Sequence, residues 1–414
     1  MRQRIRFAFV AATLALVFAV EGLAQSGASR PRRVNPTPVA TPTPQPSRNE
    51  TGTPAASANA ARNNTTTTGT RPAVANTTSG TSSTARAYSL YQQKLYDAAL
   101  REAKQIAASD PNNSEAFKVA GFAEVALKKY EDAAVDLQRA LDLQRAAGEE
   151  DPNTVAELAQ TYVRVEKFDQ ALPLLVAATT RTGVTPDASM LFFRGLAEYR
   201  TGKAADAERS FNAAVKLDAK NSLSLFYLGR MALERKDNDA AVNLLNRATT
   251  ADPRLAEAWT LLTHAYLRRA AAAPATAATD RLGAVRASET LARLRPDESS
   301  AVLHAQTLIQ SEQFARAAAA LERFSTSESA QGQTLYLLGL SHSRAKNFPK
   351  AAAALERAAA KSANDVNIYR ELGYVYHSSK QYAKALAAYE RGLQLAPDDA
   401  DLKAAAEQVR PFAK

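Results

Sequence analysis

The segment LGYVYHSSKQYAKALAAYERGLQLAP, from Leu372 to Pro397, contains the spacing that decides the fold. A Gly follows the first Leu, a lone Tyr382 precedes an Ala-rich run, and a Pro closes the segment. The same order of Gly, aromatic residue, Ala and Pro recurs along the chain. A recurrence at fixed spacing indicates a protein built from copies of one structural unit.

Small residues occupy two fixed places in a frame of 34 residues. Copies of the frame start near positions 80, 114, 152, 188, 222, 256, 298, 332 and 366. The eighth place holds Gly121, Gly195, Gly229, Gly339 and Gly373. The twentieth holds Ala99, Ala133, Ala171, Ala207, Ala241, Ala284, Ala317, Ala351 and Ala385. Small residues at both places let two antiparallel helices approach closely, where larger side chains would force them apart.

Aromatic residues and prolines mark the limits of the second helix in each copy. The aromatic residues that begin it are Tyr96, Tyr130, Phe168, Phe314, Phe348 and Tyr382. The prolines that end it are Pro111, Pro253, Pro296 and Pro397, because proline lacks an N–H and clashes with the preceding turn. Strong helix formers fill the region beyond residue 86, so the sequence predicts an all-helical fold there.

This pattern resembles the tetratricopeptide repeat, a helix-turn-helix unit of the same length. The resemblance implies an all-α fold, a tetratricopeptide-repeat α-solenoid that winds as a right-handed superhelix. About nine repeats would cover residues 86–399, and a capping helix would cover residues 400–414. Some copies depart from the pattern, among them the third and the sixth. The third has Pro173 inside its second helix, and the sixth carries AAAAPATAAT, from Ala270 to Thr279, which predicts a lengthened loop between its helices.

The first 24 residues have the features of a secretory signal peptide. Arg2, Arg4 and Arg6 precede an apolar run from Phe7 to Val20, and small residues before Gln25 suit a signal peptidase. A retained membrane anchor is the less favoured alternative, because a span needs about 20 apolar residues. The sequence contains no Cys, which excludes disulfides and a lipid-modified Cys anchor. We therefore expect a periplasmic protein with no membrane span in its mature form, which can associate with the cell envelope.

Residues 25–85 are rich in Pro, Thr, Ser and Asn and contain almost no large apolar residue. Such a segment cannot form a packed core, so it is predicted to be a disordered linker.

The net charge of +10 does not indicate a nucleic-acid-binding protein, because much of it lies outside the repeats. Residues 1–24 carry three Arg and one Glu, and residues 25–85 carry six Arg and one Glu, which leaves +3 for residues 86–414. A groove that follows a phosphate backbone needs a larger excess of positive charge in the folded part.

The sequence shows no motif of an enzyme. Patterns such as HExxH, GxSxG and GxGxxG are absent, and TGKA at Thr201–Ala204 lacks the Gly and the Ser or Thr of a phosphate loop. His264, His304, His342 and His377 occupy different places in their copies, so they are not expected to converge on one metal ion. We predict no catalytic residues, no metal site and no cofactor. His304 and His342 fall on places expected to be buried.

The resemblance also indicates where a partner would bind. In tetratricopeptide repeats the first helices line a concave groove, and the second, fifth, ninth, twelfth and thirteenth places face it. Carried over to this chain, those places predict a partner-binding groove of aromatic, aliphatic and Arg side chains. Its residues are Phe122, Arg164, Phe192, Leu196, Tyr199, Arg200, Phe226, Arg230, His264, Arg268, Tyr336, Arg344, Arg370 and Tyr374. Aromatic rings supply contact area, and guanidinium groups pair with carboxylates or carbonyl oxygens.

The favoured hypothesis is a non-catalytic extracytoplasmic scaffold or adaptor that binds extended segments of a protein or peptide partner. The alternative is a scaffold for cell-wall glycan or polysaccharide export, since aromatic side chains can also stack on sugars. Recognition of RNA by helical repeats is disfavoured by the predicted signal peptide and the weak charge. The sequence does not identify the partner.

Overall fold

The computed structural model describes residues 79–181 and 186–413, and every regular element in these ranges is helical. The predicted signal peptide and residues 25–78 of the predicted linker lie outside the described residues. No strand occurs within these two ranges. The prediction of an all-α fold is therefore confirmed, and none of the described helices is long and apolar enough to cross a membrane.

The helices fall into two compact units, unit 1 (Met1–Leu174) and unit 2 (Leu175–Lys414). Unit 1 contains α1 (Ser79–Gln92), α2 (Tyr96–Ser109), α3 (Ser114–Ala126), α4 (Tyr130–Ala147) and α5 (Pro152–Arg164). The boundary lies within α6 (Phe168–Thr180). Unit 2 contains α7 (Ala188–Arg200), α8 (Ala204–Leu217), α9 (Ser222–Glu234), α10 (Asn238–Ala251), α11 (Ala256–Ala272), α12 (Ala277–Leu294), α13 (Glu298–Gln310), α14 (Phe314–Ser325), α15 (Gly332–Arg344), α16 (Phe348–Lys361), α17 (Val366–Ser378), α18 (Tyr382–Leu395) and α19 (Ala400–Val409), followed by a short 3₁₀ helix (Arg410–Phe412).

The beginning of α1 differs from the predicted end of the linker. The helix starts at Ser79, whereas composition places residues up to 85 in the linker. The repeat frame, whose first copy starts near position 80, locates the helix better than composition does. Ser79 to Thr84 are small and polar, so they resemble a linker although they occupy the first turns of a helix.

Odd-numbered helices from α1 to α17 are the first helices of successive pairs, and most begin at a side-chain cap. An Asn or Asp immediately before the helix accepts a hydrogen bond from a backbone N–H of the first turn, which would otherwise lack a partner. These residues are Asn113, Asp151, Asp187, Asn221, Asp297, Asp365 and Asp399, the last before α19. The caps fix the residue at which each of these helices starts.

The turn between the two helices of a pair passes through the left-handed region of backbone conformation. Gly202 provides this conformation between α7 and α8, with a φ of 78°. Other pairs use residues with a side chain, with φ between 58° and 63°: Lys94, Lys128, Glu166, Lys236, Glu312, Lys346 and Lys380. Glycine adopts this region without steric cost and other residues do not, so these turns are held by the packing of the helices on either side.

Glycine on the first helix allows the second helix to approach closely. A Cβ atom at Gly339 would lie 2.5 Å from Cγ of Leu355, and one at Gly229 would lie 2.6 Å from Cγ of Leu245. Carbon atoms of residues that are not adjacent in the chain do not approach each other this closely. The small residue of the second helix is also enclosed, since Ala207 and Ala351 have no exposed surface. The paired small residues therefore set the distance between the helices of a pair.

The insertion in the α11–α12 pair corrects one expectation. Residues 270–279 do not form a lengthened loop, because α11 and α12 are each extended by about one turn and only residues 273–276 connect them. Alanine has the highest helix propensity, so an Ala-rich insertion continues the helices. Arg269 on α11 also forms an ion pair with Asp280 on α12, with an N–O distance of 2.6 Å, and this pair joins the extended ends.

Candidate functional site

The first helices of unit 2 contact one another as well as their own second helices. The pairs in contact are α7 with α9, α9 with α11, α13 with α15, and α15 with α17. Side chains on α7, α9 and α11 therefore share a continuous surface. Most of the groove residues that the sequence predicts on the first helices of unit 2 fall into three groups.

One group is largely buried and offers little surface to a partner. Phe192 is only 4% exposed and lies among the rings of Phe193, Phe211 and Tyr227, with centroids 5.4–6.1 Å away. Leu196 is 5% exposed. Tyr336 is half-buried and packs against core residues, and burial raises the pKa of its phenol. The side chains of this group stabilise the stack of helices.

A second group consists of Arg side chains that join neighbouring helices. Arg344 pairs with the buried carboxylate of Glu371 through contacts of 2.5 and 3.1 Å. Arg370 pairs with Asp399, the residue that caps α19. Arg268 donates a hydrogen bond to the carbonyl oxygen of Leu233 near the end of α9, at 3.2 Å. Such contacts make these three Arg residues poor candidates for recognition of a partner.

The third group forms a half-exposed cluster on α7 and α9, which we call the Arg230 surface. It consists of Tyr199, Arg200, Phe226, Arg230 and Glu234. The guanidinium of Arg230 lies over the ring of Tyr199, 5.5 Å from its centroid, and its Nε donates to Glu234 at 3.2 Å. The hydroxyl of Tyr199 also donates to Glu234, at 2.5 Å. Arg200 is exposed at the end of α7, and Phe226 is half-buried.

The electrostatics of this surface agree with the geometry. Burial, together with the hydrogen bond to Glu234, raises the pKa of Tyr199 to about 12, so the phenol remains a proton donor at neutral pH. Burial also raises the pKa of the neighbouring Tyr227, although the charges of Arg200 and Arg230 oppose that effect. Both guanidinium groups therefore lie close enough to interact with the same phenol.

Two further predicted residues lie on first helices of unit 2. His264 is half-buried on α11. Tyr374 is 45% exposed on α17, and the guanidinium of Arg344 lies 5.6 Å from the centroid of its ring. Arg344 therefore covers part of the ring, which leaves less of its face for stacking on a ligand.

The two predicted groove residues of unit 1 contact other side chains of that unit. The ring of Phe122 is 6.0 Å from the ring of Tyr91. The guanidinium of Arg164 lies 5.6 Å from the centroid of Tyr130, and one of its nitrogens is 3.8 Å from the carboxylate of Glu157. Neither residue belongs to a cluster comparable with the Arg230 surface.

Sequence reasoning missed two residues of this region. Glu234 lies four residues after Arg230, a spacing at which opposite charges on a helix attract each other, so this signal was available. Tyr227 occupies the sixth place of its repeat, which is not a groove place in the family pattern. In the structure the centroid of its ring lies 5.2 Å from that of Phe211 and 5.6 Å from that of Tyr199, contacts that the repeat pattern does not indicate.

The two His side chains that the sequence places at buried positions are buried in the structure. His304 is buried, its Nδ1 lies 2.9 Å from the hydroxyl of Ser288, and burial lowers its pKa. His342 is also buried, and burial lowers its pKa. The expectation that both His side chains are buried is thus confirmed. Within residues 79–181 and 186–413, no three His, Asp or Glu side chains converge as a metal site would require.

Unit 1 contains one buried cluster with uncompensated charge. Lys104 on α2 contacts both Glu124 on α3 and Asp136 on α4, at 3.2 and 2.5 Å. One Lys thus forms ion pairs with two buried carboxyl groups, and Oε2 of Glu124 has no hydrogen-bond partner. Burial and the neighbouring Asp136 raise the pKa of Glu124 to about 7, against the opposing effect of Lys104.

Comparison with known families matches several parts of the chain. Tetratricopeptide-repeat models match residues 157–222, 194–256 and 338–410. A model described as anaphase-promoting complex, cyclosome, subunit 3 matches residues 283–358. A comparison with proteins of curated function finds no match.

Several solved structures are similar to this chain. A tetratricopeptide repeat protein from Parabacteroides merdae is 16% identical with a TM-score of 0.40, over 63% of this chain and 98% of that protein. YrrB, described as a tetratricopeptide-repeat protein with an unusual peptide-binding site, is 21% identical with a TM-score of 0.38. The match covers 42% of this chain and 88% of that protein. A chain of the Cut9–Hcn1 assembly of the anaphase-promoting complex is 13% identical with a TM-score of 0.35. The match covers 81% of this chain and 91% of that chain.

The helix pairs, the small residues between them and the family matches lead to one conclusion. The chain belongs to the tetratricopeptide-repeat family, whose fold serves as a scaffold for interactions between proteins.

Proposed function

We propose that this protein is a non-catalytic adaptor that binds an extended segment of a partner protein on the Arg230 surface. The observation that carries this proposal is the position of Tyr199, Arg200 and Arg230 beside one another on two successive first helices. Arg200 and Arg230 are exposed, whereas Arg268, Arg344 and Arg370 are half-buried and join helices to one another. The Arg230 surface is therefore the best-supported part of the predicted groove.

The chemistry of the surface suits an extended peptide. Tyr199 and Phe226 provide aromatic contact area with little loss of conformational freedom. Arg200 and Arg230 provide N–H donors, which pair with carboxylates and with the backbone carbonyl oxygens that an extended chain exposes. His264, on the adjacent α11, lengthens the surface along the stack of first helices. We propose that the segment lies across α7, α9 and α11.

We further propose that the protein acts outside the cytoplasm, in the periplasm. The support is the pattern of residues 1–24, with three Arg residues, an apolar run and small residues before Gln25. N-terminal sequencing of the protein from envelope fractions tests this part. A start at Gln25 supports it, and a start at Met1 means that the segment is retained.

The binding proposal is tested with linear dodecapeptides selected from a random library against the full chain. Affinity of a selected peptide is then measured for the double variant Arg200→Glu, Arg230→Glu. We expect binding to be lost, because repulsion replaces hydrogen bonds to the peptide. The matched control is Arg247→Glu with Arg286→Glu, which makes the same charge change at exposed positions of second helices. Loss of binding in both double variants, or in neither, would contradict the proposed surface.

A further inference from the structure

Glu234, the last residue of α9, accepts hydrogen bonds from two side chains of the Arg230 surface. Its Oε1 accepts a hydrogen bond from the hydroxyl oxygen of Tyr199, at 2.5 Å, and another from Nε of Arg230, at 3.2 Å. The side chains of Arg230 and Glu234 are 48% and 50% exposed. A single carboxylate oxygen of the chain therefore occupies the point where the phenol and the guanidinium converge.

The position of Glu234 is unfavourable for the helix itself. The C-terminal end of a helix carries a partial negative charge, which disfavours an acidic side chain there. The interaction with the helix dipole therefore does not account for an acidic residue at this position. The carboxylate does have a role on the Arg230 surface, where it satisfies two donors and offsets one positive charge.

We propose that Glu234 is an internal competitor for a carboxylate of the bound partner segment. A carboxylate oxygen of an Asp or Glu side chain of the partner takes the position of Glu234 Oε1. It accepts the hydrogen bonds of Tyr199 and Arg230 and displaces Glu234 towards solvent. This inference rests on the proposed function and specifies it, since it makes the partner segment acidic. An exposed ion pair is weak, so a carboxylate fixed by the other contacts of a bound segment can replace it.

The competition lowers the affinity of the surface for acidic segments and has little effect on neutral ones. A segment without a carboxylate leaves Glu234 on its donors and contacts only the rings and Arg200. An acidic segment gains both donors, but it must first separate Glu234 from them. Removing the negative charge of Glu234 should therefore strengthen the binding of acidic segments and leave neutral segments almost unaffected.

The experiment compares the full chain with its Glu234→Gln variant in fluorescence anisotropy. The acidic probe is a fluorescein-labelled decapeptide of alternating Glu and Ala, and the neutral probe alternates Gln and Ala. The matched control is Glu208→Gln, because Glu208 is a half-buried carboxylate on the second helix α8 that pairs with Arg235 at 2.7 Å. It removes the same charge from a residue that is not part of the Arg230 surface.

We expect Glu234→Gln to bind the acidic probe at least about threefold more tightly than the unchanged chain, since a like charge beside the ligand is removed. Glu208→Gln should match the unchanged chain, and the neutral probe should bind all three proteins equally. Equal or weaker binding of the acidic probe by Glu234→Gln overturns the inference, as does an equal gain for both probes. If Arg200→Glu, Arg230→Glu still binds the selected dodecapeptides, the proposed function itself fails. Unchanged thermal unfolding of Glu234→Gln excludes a merely structural effect.

Discussion

Replacing Gly339 by Ala tests whether the small residues set the distance between paired helices. A Cβ atom at this position would lie 2.5 Å from Cγ of Leu355, 2.9 Å from its Cδ2 and 3.3 Å from the backbone oxygen of Ala351. Carbon atoms in contact are normally about 3.5–4.0 Å apart. Leu355 has no exposed surface, so it must move by roughly 1 Å within a packed core to relieve the overlap.

Two effects oppose each other in this variant. Alanine is more favourable than glycine within a helix by about 1 kcal/mol. Overpacking of a core costs about 1–3 kcal/mol, and the nearby backbone oxygen limits relaxation. We therefore expect Gly339→Ala to lower the free energy of unfolding of the α15–α16 pair by about 1 kcal/mol. Ala351→Leu, which adds a larger side chain on the other side of the same contact, should lower it by about 1–3 kcal/mol.

Hydrogen exchange detected by mass spectrometry is the appropriate assay, because each helix pair contacts only its neighbours and damage should begin locally. A loss of about 1.4 kcal/mol corresponds to tenfold faster exchange in peptides from α15 and α16. Gly392→Ala on α18 is the control, since the nearest atom to its Cβ is the side-chain terminus of Leu402 at 3.0 Å. If Gly339→Ala is as well protected as the unchanged chain, the packing argument is wrong.

Two further predictions concern buried carboxylates. The pKa of Glu124 is raised from 4.5 to about 7 by burial and by Asp136, so its protonated form favours folding. The contribution of Glu124 to the stability of unit 1 should therefore be largest below about pH 4.5 and fall by about 1–3 kcal/mol up to pH 7, and Glu124→Gln should remove this pH-dependent contribution in urea unfolding. In unit 2, Arg344→Ala should cost about 3 kcal/mol, since it leaves Glu371 buried without its cation. Adding Glu371→Gln should restore part of that loss in the same assay, and no recovery would mean that the pair is not the cause.

Much of the fold follows from local spacing in the sequence. Tyr96, Phe168 and Tyr382 begin second helices at the places where the repeat frame puts them. They do so because the short turn and the small residues on both helices leave little freedom in register. The expectation of a lengthened loop at residues 270–279 is wrong. The frame describes only the regular copies and does not show whether extra residues lengthen a loop or two helices. The helix propensity of its alanines favoured the second outcome.

The candidate site was less predictable, because exposure depends on contacts between helices distant in the sequence. Phe192 and Arg200 both occupy groove places, yet Phe192 is enclosed by rings of α8 and α9 while Arg200 is exposed. Arg344 is joined to Glu371 on the next first helix, a pairing that the family pattern does not contain. Only the pairing of Arg230 with Glu234 could be read from the local spacing.

The most direct test of the central claim locates a bound peptide on the surface of unit 2. Phe226 is replaced by the photoreactive residue p-benzoylphenylalanine in the full chain, which is then illuminated with a selected dodecapeptide. The control places the same residue at Leu217, which is 50% exposed at the end of the second helix α8. We expect a covalent product from position 226 that Arg200→Glu, Arg230→Glu removes, and none from position 217. A product from position 217, with none from position 226, would contradict binding on the first helices.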